Sequence, residues 1–129
     1  MSCCGRAPES VVDLLHSALA RPRWHGPAAT GSAGDPLRKL RAEILLETGD
    51  GRIVRADYRC TTCASLIAYC EAMVRMISGL ELGRAAALEA GDLIRRVRGV
   101  PACRHDRAHL AVAAMRAALR EVLQQPSKD

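Results

Sequence analysis

The sequence predicts an α+β fold, a small antiparallel β-sheet built on a hairpin and packed against several helices. Residues 41–48 alternate apolar and polar side chains, and Gly49-Asp50-Gly51 turns them into a second extended run ending at Cys60. Around that hairpin, apolar residues recur at helical rather than strand spacing. A chain of 129 residues suits one domain spanning 1–129, with flexible tails expected at 1–8 and 125–129.

The elements follow in order. A first helix is expected over Glu9–Ala20, with Val11 or Val12, Leu15 and Leu19 on its apolar face and Pro22 just past its end. Residues 21–36 carry three prolines, several glycines and the lone tryptophan, Trp24, and read as a loop. In the first hairpin strand Ala42, Ile44 and Leu46 share one face; the second runs from Arg52 to Cys60. A helix over about residues 65–78 has the stripe Leu66, Cys70, Met73 and Ile77, and Gly79 is placed to stop it. Residues 80–98 hold one or two short helices, with Asp92 as a candidate N-cap. Gly99-Val100-Pro101 breaks the chain before a last helix over about residues 104–124. That helix buries Ala111, Ala114, Met115, Ala118 and Val122 and turns Arg116 and Arg120 to water.

Composition narrows the function classes. With no Phe, one Trp and two Tyr, the core must be aliphatic. The net charge of +5 gathers partly at Arg95, Arg96, Arg98, Arg104 and Arg107. A basic cluster can bind phosphate backbones, but aromatic stacking platforms are nearly absent, so a solvated face or an acidic partner suits it better than nucleic acid. Apolar runs are short and charge-broken, excluding a membrane-spanning helix, and residues 1–6 lack the apolar stretch of a secretory signal. A cytoplasmic location is expected, where six cysteines favour metal or redox chemistry over a disulfide framework.

The chemistry concentrates where strand gives way to helix. Cys60-Thr61-Thr62-Cys63 sets two thiols at C-x-x-C spacing before a helix N-terminus, where the helix dipole favours thiolate. Two such sulfurs can grip one metal ion; alternatively Cys60 faces the core as a small hydrophobe. Cys70 lies on the apolar stripe and reads as core, about 10 Å along the helix from Cys63. Cys103 and His105 sit among arginines beside Pro101, either as ligands or as incidental loop residues. Cys3-Cys4 lies at a terminus too loose to close a site alone, and His16, His25 and His109 have no companion motif. On its own, Asp35 before Pro36 is an ordinary turn residue.

Three local motifs in this element order resemble the NifU-like (IscU-type) iron-sulfur cluster assembly scaffold family. Cys63-Ala64-Ser65-Leu66-Ile67-Ala68 is similar to that family's C-G-S-A-I-A segment, and Gly34-Asp35 to the Gly-Asp after its first cysteine. Val100-Pro101-Ala102-Cys103-Arg104 falls at its L-P-P-V-K chaperone-docking loop, and Leu110-Ala111 at its C-S-x-L-A helix start. The likeness covers about residues 10–122. Ala33 stands where the family has its first cysteine, Arg107 where it has the third, and Asp106 where it has the preceding histidine.

The resemblance implies a scaffold or carrier, not an enzyme, that binds iron and sulfide through cysteines. It would take sulfur from a cysteine desulfurase and pass a cluster, 2Fe-2S, to apo iron-sulfur clients, with a dedicated chaperone as a further partner. Cys63 is then the principal sulfur acceptor and ligand, and Asp35 a ligand that keeps the cluster labile. Cys60 and Cys103, with His105 as a possible addition, are the candidates to replace the missing ligands. Two alternatives stand beside it: an adaptor of the same fold holding structural zinc without assembling clusters, and a thiol-redox protein using Cys60 and Cys63.

Overall fold

A computed structural model describes residues 8–124 except 23, 25 and 27. The expected tails (apart from Pro8), Cys3-Cys4 and His25 therefore lie outside the described residues. In order, the elements are β1 (Glu9–Ser10), α1 (Val11–Ala20), β2 (Ala29–Asp35), β3 (Leu40–Gly49), β4 (Arg52–Cys60), α2 (Ala64–Ile77), α3 (Leu82–Ala86), α4 (Ala90–Arg96), β5 (Val97–Arg98) and α5 (Asp106–Gln124).

The hairpin forms as expected. β3 pairs antiparallel with β4 from Ala42 opposite Cys60 to Gly49 opposite Arg52, with an irregularity between Glu47 and Thr48. Asp50 and Gly51 take the positive φ values of 55° and 74° that close the turn. Ala42, Ile44 and Leu46 are all buried and face the helical layer.

Residues 29–35 correct the loop expected over 21–36. They form β2, paired antiparallel with β3 to give a sheet of order β2-β3-β4. The small side chains of Ala-Thr-Gly-Ser-Ala-Gly-Asp carry no strand signal, yet they are what lets α5 lie directly on the strand. A Cβ at Gly31 would collide with the α5 backbone at Ala117 and Ala118.

The central helix α2 packs on β4 and α5, and α1 packs on α2. Leu66, Ala68, Tyr69, Cys70, Met73 and Ile77 of α2 meet Ala111, Ala114, Met115 and Ala118 of α5 within one apolar core. Gly79, at φ 85°, ends α2, and its N–H donates to the Ile53 carbonyl at 2.7 Å, tying the turn to the sheet.

Three smaller differences have local causes. α1 starts at Val11 because Glu9 is drawn into β1, pairing parallel with Val97 and bridging Arg75 at 2.8 Å. Its buried residue is Leu14, whereas Leu19 is 87% exposed. Glu89, not Asp92, caps α4; Asp92 sits at the third position and accepts from the Glu89 N–H at 2.8 Å, closing a capping box. Among the described residues, no helix is long and apolar enough to cross a membrane.

Candidate functional site

The junction between β4 and α2 is held by Thr61. Its N–H donates to the Arg41 carbonyl at 3.0 Å, and its hydroxyl accepts from the Arg41 N–H at 2.8 Å. Cys63 follows as the N-cap of α2, in extended conformation, and its carbonyl accepts the first helical bond, from Ile67 at 2.9 Å. No side chain caps this end, so the half-buried thiol lies at the positive end of the helix dipole.

Arg107 lies in the first turn of α5, within electrostatic reach of Cys63. Its Nη1 donates to Asp106 Oδ1 at 2.8 Å, and the side chain is only 14% exposed. The hydrogen bond to Asp106, with the nearby Cys63 sulfur adding to it, pushes the guanidinium above its ordinary range. Its Nε is buried and has no hydrogen-bond partner among the described residues.

The charges continue outward in alternation. Asp106 Oδ2 lies 3.6 Å from Arg38 Nε, and Arg38 Nη1 lies 3.2 Å from Asp35 Oδ2. Asp35 Oδ1 accepts the Arg38 N–H at 3.3 Å, so both oxygens serve the β2–β3 turn. Arg107, Asp106, Arg38 and Asp35 thus form one chain joining the start of α5 to the end of β2.

Of the five candidate ligands named from the sequence, Asp35 belongs to this chain and Cys63 lies within electrostatic reach of its Arg107 end. Cys60 does not turn to it. It ends β4 opposite Ala42, which in turn faces Ala33, so Cys60 stands two strand spacings, about 9.6 Å, from the row position of Ala33. Its sulfur accepts from the Cys70 S–H, which holds the Cys60 thiol below its ordinary range. The same contact, with full burial, pushes Cys70 well above. Cys70 is core, as its place on the stripe predicts. Cys103 is exposed on a short 3-10 turn, Ala102–Arg104, with His105 half-buried after it. Val100 is partly buried against the core while Pro101, Ala102 and Arg104 are exposed, leaving the docking-like loop accessible.

The donor set does not fit a metal ion or cluster held by one chain. Among the described residues, no three His, Cys, Asp or Glu side chains are placed to hold a metal. Near Cys63, the carboxylates of Asp106 and Asp35 are both occupied by guanidinium groups. Arg107 and Asp106 were legible as substitutions within the resemblance, but their pairing was not. The signal for Arg38 is its position three residues after Asp35 across a turn.

The family model described as "NifU-like N terminal domain" matches residues 20–129. No curated protein matches. Among solved structures, the chain is similar to the N-terminal part of a nitrogen-fixing NifU-like protein from Brucella abortus. That match has a TM-score of 0.63 at 18% identity, covering 90% of this chain and 99% of that one. It is also similar to a hypothetical protein at a TM-score of 0.50 and 15% identity, over 86% of this chain and 85% of the other. The structural likeness carries the fold, the family match carries the lineage, and together they place this chain in the NifU-like N-terminal domain family.

Proposed function

We propose that this chain serves iron-sulfur cluster assembly as a carrier, taking sulfur from a cysteine desulfurase on Cys63 and delivering it toward apo iron-sulfur clients. NifU-like domains are scaffolds rather than catalysts and generally bind iron-sulfur clusters, so no turnover chemistry is assigned to the chain itself. The observation that carries the reading is the Cys63 thiol, half-buried at the bare N-terminus of α2 in a domain of this family.

A cluster completed on this chain needs ligands beyond the Cys63 neighbourhood. Among the described residues Cys103 is the exposed thiol available for that role, with His105 behind it, while Cys60 is engaged by Cys70. The cytoplasm, where thiols stay reduced, suits such a carrier.

The test is anaerobic incubation with a cysteine desulfurase, cysteine and iron, followed by intact mass, metal analysis and transfer to an apo ferredoxin. Sulfur appearing on the chain and passing to the ferredoxin, both abolished by Cys63→Ser, supports the reading. Failure of desulfurase-dependent sulfur loading overturns it; stoichiometric exchange-resistant zinc would then assign the structural-zinc adaptor.

A further inference from the structure

We propose that β2 is an interface: a second copy of this chain adds its own β2 to the open edge, antiparallel about a two-fold axis at Ser32, and joins the two sheets into one. The inference goes beyond the carrier reading and does not depend on it.

The sheet has two edge strands, β2 and β4, and they differ in kind. β4 carries Arg52, Arg55, Asp57 and Arg59, and an irregularity interrupts its pairing with β3. Charge and irregular backbone are the usual means of keeping an edge from pairing again. β2 has neither. Its seven residues pair with β3 without interruption, include no proline, and hold a charge at the last position alone, where Arg38 engages Asp35. Among the described residues no strand covers its other side, so a row of backbone N–H and C=O groups is left as a template.

The strand is complementary to itself. A two-fold at Ser32, the middle residue of Ala29–Asp35, pairs every position and keeps each face on its own side, whereas a slip of one residue would exchange the faces. Gly31 then lies opposite the partner's Ala33 beneath the helices. On the outer side, where Thr30, Ser32 and Gly34 are exposed, Ser32 lies opposite the partner's Ser32. Side chains this small leave nothing to clash across the seam, and the hydroxyls can pair over it.

Charge fits the same axis. α5 runs back along β2: Asp106 lies 3.6 Å from Arg38, just past the end of the strand, while Ala117 and Ala118 lie over Gly31. Glu121, one turn further on, therefore lies toward Ala29. The two-fold sets the start of each β2 beside the end of the other. It brings Lys39, in the turn after β2, alongside the partner's Glu121 and the negative end of the partner's α5. Lys39 and Glu121 are both exposed and have no ion pair among the described residues. Leu37, 92% exposed at the tip of that turn, gains cover from the same helix end. Cys63 follows β4 at the far edge, so the two β4 strands stand five strand spacings, about 24 Å, apart and each thiol stays accessible.

The test is analytical ultracentrifugation of the full chain over a concentration series. Wild type shows a reversible monomer–dimer equilibrium. Ser32→Lys and Ser32→Glu each set like charges against one another at the axis and weaken the dimer at least about tenfold; mixing the two variants restores it. Lys39→Glu weakens it by up to about fivefold, the range of an exposed ion pair, and adding Glu121→Lys recovers the loss. With oxidised glutathione, Ser32→Cys crosslinks at position 32, because opposed residues of an antiparallel pair stand about 4.5–5.5 Å apart at Cα, within disulfide reach. Thr30→Cys, which the axis places away from its own copy, does not crosslink to itself. Non-reducing peptide mapping separates this linkage from any at the native cysteines, and it decides the question if Ser32→Lys unfolds. A monomer at every concentration overturns the inference and leaves the edge to an extended segment of another protein. A dimer that ignores position 32 and forms no crosslink there overturns it as well. Either result leaves the carrier reading standing, since sulfur loading on Cys63 is measured separately.

Discussion

The Arg21 guanidinium forks onto the Glu71 carboxylate, Nε to Oε1 at 3.0 Å and Nη2 to Oε2 at 2.9 Å, fastening the residue that ends α1 to the middle of α2. Glu71 is 3% exposed at its side chain and also accepts from the Tyr58 hydroxyl at 2.8 Å. Burial, then that hydrogen bond, holds the Tyr58 phenol well above its ordinary range, so it remains a donor throughout the working pH. Glu71→Ala removes the acceptor shared by Arg21 and Tyr58 and the ion-pair partner of Arg75. We expect a loss of about 1–3 kcal/mol by urea denaturation, the usual cost of removing a hydrogen-bonded charged acceptor; a loss near zero would mean that water satisfies its partners.

Gly31 predicts a cost of the opposite kind, from too many atoms. A Cβ there would lie 2.6 Å from Ala118 Cα and closer still to the Ala117–Ala118 peptide, all backbone that cannot rotate away. Gly31→Ala must lift α5 from β2. The expected loss is about 3 kcal/mol, the upper end of overpacking costs, read from the denaturation midpoint. Gly83→Ala, inside α3 with nothing within 4 Å, is the contrasting case and should be stabilising by up to about 1 kcal/mol.

That glycine also explains what the sequence could and could not disclose. The β3–β4 hairpin was legible because alternation and a Gly-Asp-Gly turn are local signals, and α2 and α5 because their apolar stripes match the helical period. β2 was not, since its side chains were selected by a helix more than eighty residues away, and small residues with glycine read locally as loop. The site divides in the same way. Cys63 and Asp35 were visible in local motifs, and Arg107 as a substitution. The rotation of Cys60 toward Cys70 depends on β4 facing α2 with its Ala56, Tyr58 and Cys60 side, a tertiary fact.

The cysteines should separate by reactivity. Cys103 is exposed and Cys63 half-buried, whereas Cys70 is 0% exposed with its thiol pushed up by Cys60 and by burial. Among the cysteines of the described residues, iodoacetamide with peptide mapping should label Cys103 first. Cys70 should react at least about a thousandfold more slowly, because reaching it requires opening the core. Equal labelling of Cys70 and Cys103 in the native protein would contradict the packing of β4 on α2.

The Asp106–Arg107 pair should appear in the acid limb of stability. The Arg107 hydrogen bond is the main cause that keeps the Asp106 carboxyl below its ordinary range, with the charges of Arg107 and Arg38 adding to it against a smaller cost of desolvation. A carboxyl whose folded value lies below its unfolded value, about 3.9, contributes stability above that value and loses it as pH falls through the folded value. Asp106→Asn should therefore be less stable than wild type at pH 7, and the difference should close on acidification below about pH 4. Because the side chain is 40% exposed, the gap at pH 7 should stay under about 1 kcal/mol. Paired urea denaturations at neutral and acid pH read this directly. A gap that widened in acid would mean that Asp106 is protonated more readily folded than unfolded, and the brace on Arg107 would have to be reassigned.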